Sequence, residues 1–106
     1  MFTYNQNAPA QSGGEGVTRK VLSYNGNLMI CEITLEQGTV IAEHAHPHEQ
    51  ITYIISGSCS YTVGGETRDV GAGDSVLIPG SVAHSIVVHE AMKVIDMFSP
   101  AREDFL

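Results

Sequence analysis

The chain has 106 residues, which bounds it to one domain with one core and makes oligomerisation a natural way to bury more surface. Twelve acidic side chains against five basic ones leave a net charge of -7, which argues against nucleic acid, since phosphate binding needs a basic patch. No apolar stretch approaches the ~20 residues of a membrane span, and Met1 to Asn7 carries neither a basic nor an apolar leader region, so a cytoplasmic protein with no membrane partner is expected.

In chain order, Asn7 to Gly16 is rich in Ala, Pro, Gln, Ser and Gly and predicts a loop. Residues 1–16 then form an arm, placed to pack across a neighbouring subunit, ahead of a single domain over 17–106. Nine short β-like runs follow: Arg19–Tyr24, Leu28–Leu35, Thr39–His44, Gln50–Ser56, Cys59–Val63, Glu66–Val70, Ser75–Ile78, His84–His89 and Met92–Phe98. Turn signals separate most of them, among them Asn25-Gly26, Gln37-Gly38, Ser56-Gly57 and Pro79-Gly80. Gly64-Gly65 predicts a two-residue hairpin, because both central residues of a type I′ turn need positive φ. His89 beside Glu90 reads as a turn. Cys31 and Cys59 lie in apolar runs without Cys-x-x-Cys spacing and read as buried thiols. No helical period survives in the middle of the chain. The pattern predicts an all-β domain, either a closed barrel or a double-sheet jelly roll.

The chemistry concentrates at His44, His46, Gln50 and His84. Strand side chains alternate, so His44 and His46 share a face, with Pro47 interrupting the ladder after them. The next strand begins at Gln50, with Thr52 and Ile54 on its face, and His84 opens a strand after the Pro79-Gly80 turn. Neutral imidazole is the commonest metal ligand, and such nitrogen and oxygen donors suit Zn, Ni, Co, Mn or Fe. Three histidines and a glutamine carry no charge, so one divalent ion there keeps its full +2. That favours Lewis-acid chemistry over redox chemistry. His48 reads as a rim residue, with an exchange for Gln50 as the alternative.

The last run places Val94, Asp96 and Phe98 on one face. An inward Asp96 is costly unless it is paired or functional. It is a catalytic carboxylate, a partner orienting a ligand histidine, or, if the other face is inward, exposed. Arg102 is a tail-docking arginine or a bidentate clamp for a substrate carboxylate.

These residues carry a resemblance. Gly38-x5-His44-x-His46-x3-Gln50-x6-Gly57 and Gly73-x5-Pro79-x-Ser81-x2-His84-x3-Val88 resemble the two motifs of the cupin superfamily, with Gln50, Ser81 and Val88 departing from Glu, Gly and Asn. The segments 17–22, 46–53 and 96–106 resemble the KdgF family of small cupins. The resemblance implies a double-sheet jelly-roll β-barrel, a homodimer, and action on small anionic unsaturated uronates from pectin or alginate breakdown. It further implies that Asp96 transfers a proton, as acid or base, that Arg102 and Phe98 meet the substrate, and that Tyr53 lies near it. A dioxygenase or lyase acting on another small acid, and a non-catalytic sugar-acid-binding cupin, are the competing expectations.

Overall fold

The computed structural model describes residues 1–106. Eight strands account for most of the chain: β1 (Ala10–Ser12), β2 (Val17–Tyr24), β3 (Met29–Leu35), β4 (Val40–His44), β5 (Glu49–Val63), β6 (Glu66–Gly71), β7 (Ser75–Ile78) and β8 (His84–Ser99). The only helical pieces are single 3₁₀ turns at Asn5–Asn7 and Glu103–Phe105. Alternation drives the architecture. In β3, Met29, Cys31, Ile33 and Leu35 are buried while the residues between them are more open. Val94 and Phe98 of β8 and Ile54 of β5 meet them in one core. Each such aliphatic or aromatic side chain contributes roughly 1.5–3 kcal/mol by leaving water. Cys31 and Cys59 are buried free thiols in this core. Burial pushes both up to about 11, and the charge of Asp96 adds to the effect at Cys31.

The hydrogen-bonded path runs β1-β2-β3-β8-β5-β6, with β4 paired to β8 and β7 to β5. The path does not close on itself, so the fold is a two-layer jelly roll rather than a closed barrel. Two long strands make both layers. The second half of β8 pairs with β3 from Met29↔Phe98 to Leu35↔Met92, and its first half pairs with β4 and with the second half of β5.

Two expected breaks are bends within strands. Gln50–Ser56 and Cys59–Val63 belong to one strand, β5, because pairing with β8 resumes on both sides of register shifts between Ile54 and Cys59. Gly57 sits in this bulge at φ +85°, and a Cβ there would collide with the carbonyl oxygen of Ala91. Likewise His89 and Glu90 lie inside β8, not in a turn. The hairpin at Gly64-Gly65 is present, with both glycines at positive φ.

The N-terminal segment also differs from a loop. Its residues Ala10–Ser12 form β1 and pair with Thr18–Lys20 of β2. The Gln11 amide donates to the Phe105 carbonyl, so this segment is stitched to its own chain's C-terminal turn.

Candidate metal centre and pocket

His44 ends β4 and stands opposite His84, the first residue of β8. β4 stops there, so His46 reaches the site from the following loop rather than from a strand face. The loop is tied down by the Ser81 backbone N–H, which donates to the His46 carbonyl at 2.8 Å. The ring centroids of His44 and His84 are 4.2 Å apart, and those of His46 and His84 4.9 Å. One donor atom from each of the three rings lies within 4.8 Å of the others.

Backbone carbonyls fix the ring tautomers. Nδ1 of His44 donates to Ala42 at 2.9 Å, Nδ1 of His46 to His48 at 3.0 Å, and Nδ1 of His84 to Val82 at 2.9 Å. Each Nε2 is thereby left as a lone pair, the ligand-ready state. Burial pushes the pKa of His84 down, reinforced by its two histidine neighbours and opposed by the Val82 bond, so its imidazole stays neutral.

Gln50 completes the set. Its amide nitrogen donates to Thr52 Oγ1 at 3.1 Å, which turns Oε1 toward His46 Nε2 at 3.0 Å. Two acceptors therefore face each other at hydrogen-bonding distance. A proton on His46 would relieve that pair alone and leave the lone pairs of His44 and His84 converging. A cation satisfies all four, so the donor set fits a divalent metal.

A cavity of about 300 Å³ opens beside this cluster, lined by His44, Gln50, His84, Asp96, Phe98 and Arg102 among others. Val94, Asp96 and Phe98 do share the inward face. Asp96 Oδ1 accepts from Thr52 Oγ1 at 2.6 Å, and Tyr61 Oη lies 3.4 Å from the same hydroxyl. Burial pushes the pKa of Asp96 up; bonds from Thr52 and Gln50, then the charge of Arg102, oppose it. Arg102 grips Asp104 bidentately, Nε to Oδ1 at 3.0 Å and Nη2 to Oδ2 at 2.8 Å. Its guanidinium carbon lies 5.2 Å from the Phe98 centroid and 4.3 Å from that of Phe105.

Tyr53 does not join the others. It follows Thr52 on β5, so alternation turns it to the outer face, where it is 44% exposed. His48 stays out of the donor cluster. Four polar or aromatic cavity residues carry no role by their sequence pattern: Arg19, Thr52, Tyr61 and Phe105. The signal for Thr52 is its place on Gln50's face of β5. Arg19 carried a similar signal, because it alternates with the buried Val17 along β2.

Comparison with known proteins agrees with this geometry. The Cupin domain family model matches residues 31–98. The chain is 33% identical over 100 residues to the pectin degradation protein KdgF of Dickeya dadantii (strain 3937), covering 92% of this chain and 91% of that protein. The structure of KdgF from Halomonas sp. superposes with a TM-score of 0.93 at 32% identity, covering 100% of this chain and 98% of the other. An RmlC-like cupin from Shewanella frigidimarina NCIMB 400 gives a TM-score of 0.94 at 35% identity over 99% and 95% of the two chains. With its motif histidines gathered at one end of a jelly roll and this similarity along nearly its full length, the chain belongs to the cupin family and is a homologue of KdgF.

Proposed function

We propose that this protein is a metal-dependent enzyme that opens cyclic 4,5-unsaturated uronates, derived from pectin or alginate, to linear 5-keto sugar acids. One observation carries this proposal: a neutral three-histidine, one-glutamine donor set adjoins a cavity that also holds Asp96, Phe98 and Arg102. The likeness to a pectin degradation protein supports the substrate class. A divalent ion such as Zn, Ni, Co, Mn or Fe, held by His44, His46, Gln50 and His84, would supply Lewis-acid polarisation of substrate oxygens.

The chain's own residues do the rest. Asp96 delivers a proton to C4 as the C4–C5 double bond is consumed and a water oxygen joins C5. The proton that water loses restores Asp96. Breaking the bond between C5 and the ring oxygen then leaves a ketone at C5 and an aldehyde hydrate at C1. The hydrate returns one water, so the net change is an isomerisation without oxidant. Burial raises the pKa of Asp96, which is the direction a proton donor needs. Arg102 meets the carboxylate end of the substrate through the guanidinium edge that Asp104 leaves open, and Phe98 packs against the sugar ring.

Asp96→Asn should lower turnover of an unsaturated uronate by about 10²–10⁴-fold while metal content stays that of the wild type. Wild-type turnover in that variant would remove Asp96 from the chemistry.

The working form we propose is a cytoplasmic homodimer. Leu77, Ile51 and Met97 are paired across β7, β5 and β8 on the outer face, all exposed, with Tyr53 beside them. Apolar patches of this kind mark association surfaces. Sedimentation equilibrium should return twice the chain mass; a monomer at micromolar concentration would contradict this.

A further inference from the structure

We propose that Arg19 is the carboxylate anchor of the cavity, taking the ligand's anionic group on the Nη1/Nη2 edge of its guanidinium. This rests on the proposal that the cavity receives a small organic acid.

The three ion pairs of the protein are Arg68–Glu66, His89–Asp69 and Arg102–Asp104. Arg19 is in none of them, although it is half-buried and lines the cavity. A partly buried cation with no carboxylate in ion-pair contact, only the more distant charges of Asp104 and Asp96, is incompletely compensated, and an anionic ligand completes the compensation. Arg102, the other guanidinium of the cavity, already has its Nε/Nη2 edge filled by Asp104. In Arg19 only Nε is engaged, donating to Gln11 Oε1 at 3.2 Å. The opposite edge, the one that matches a carboxylate in two parallel bonds, has no protein partner.

The guanidinium is also held in place. Its central carbon lies 3.5 Å from the Phe105 centroid, a stacked geometry that fixes the plane. Phe105 in turn packs edge-on against Phe98, with ring centroids 5.7 Å apart. Gln11 bonds Arg19 with its oxygen and the Phe105 carbonyl with its nitrogen, so the arm, β2 and the C-terminal turn fix one side chain. Two guanidiniums thus contact one aromatic ring and repel each other, and an anion bound beside Arg19 offsets that repulsion. Arg102 is left to touch the ligand only through the edge that Asp104 does not occupy.

Isothermal titration of the metal-loaded protein tests this, with D-galacturonate, its uncharged counterpart D-galactose, and citrate and malonate as acids of other shapes. Arg19→Gln should weaken D-galacturonate by about tenfold or more and leave D-galactose unchanged. Arg19→Lys keeps the charge and loses the fork, and should recover only part of the affinity. If Arg19→Gln does not stay folded by circular dichroism, Arg19→Lys carries the comparison alone. Undiminished D-galacturonate binding in the variants, or equal loss of both sugars, would overturn the assignment. If the wild type ignores D-galacturonate but binds citrate or malonate in an Arg19-dependent way, the anchor stands and the sugar-acid proposal falls. If none of the acids binds, both fall.

Discussion

The hydroxyl of Thr52 decides which end of Gln50 meets the histidines. A threonine hydroxyl has one hydrogen, and here it is committed to Asp96 Oδ1 at 2.6 Å. Its oxygen can then only accept, so Gln50 must offer its amide nitrogen there and its carbonyl to the histidines. Asp96 and the candidate metal ligands are in this way coupled through one small side chain. Thr52→Val keeps the shape and removes the hydroxyl, loosening the amide, whose remaining partner is the Asp96 carboxylate. Competition titration against a chelator should show metal affinity lower by about 10–100-fold, with Thr52→Ser restoring it. Unchanged affinity in Thr52→Val would mean that Gln50 is oriented by something else. At this scale the sequence was informative about ligands and silent about their supports. His44, His46, Gln50 and His84 are recognisable by type and spacing. The supports Ala42, His48 and Val82 act through backbone carbonyls, which no side-chain pattern advertises.

Among the elements, β5 and β8 do the positioning. Each runs through both layers, so Gln50 and Asp96 come from strands that pair directly, with Gln50 opposite Phe98 and Thr52 opposite Asp96. The sequence divides both strands, because a glycine or a charged pair in a short run is the usual sign of a turn. What keeps them whole is non-local: β8 pairs with β5 on either side of the bulge, and only the fold supplies that partner. Gly57 lets the bulge form, at positive φ and against the Ala91 carbonyl. Gly57→Ala therefore faces both strain and collision, and should cost about 2 kcal/mol or more of stability, read from urea denaturation midpoints. A loss below about 0.5 kcal/mol would show that the bulge accommodates a side chain. A related strain appears at Ser81, a non-glycine residue at φ +65°, where the cupin motif has glycine. Its N–H still reaches the His46 carbonyl, so the loop keeps its anchor despite the substitution.

For the molecule as a whole, strand alternation and turn residues were enough to read an all-β barrel or jelly roll, because a half-buried strand must alternate to bury one face, and the cupin motifs pointed to the jelly roll. The chain ends were less legible. β1 is three residues of weak strand propensity, held by pairing with β2 and by Gln11. Gly13, just after β1, and Phe105 of the turn at Glu103–Phe105 line the cavity beside Arg19, Phe98 and Arg102. Segments at both termini thus complete a pocket whose histidine end is built by β4, β8 and the loop after β4. The proposed activity is the opening of an unsaturated uronate ring in this pocket with a metal bound at the histidines. The direct measurement is ultraviolet absorbance and NMR of a 4,5-unsaturated uronate incubated with the protein, before and after chelation and metal restoration. Loss of the conjugated absorbance with appearance of the linear 5-keto acid, abolished by chelator, restored by metal and without oxygen uptake, is the predicted result. An unchanged substrate with metal-loaded protein, or turnover indifferent to the chelator, would contradict the account.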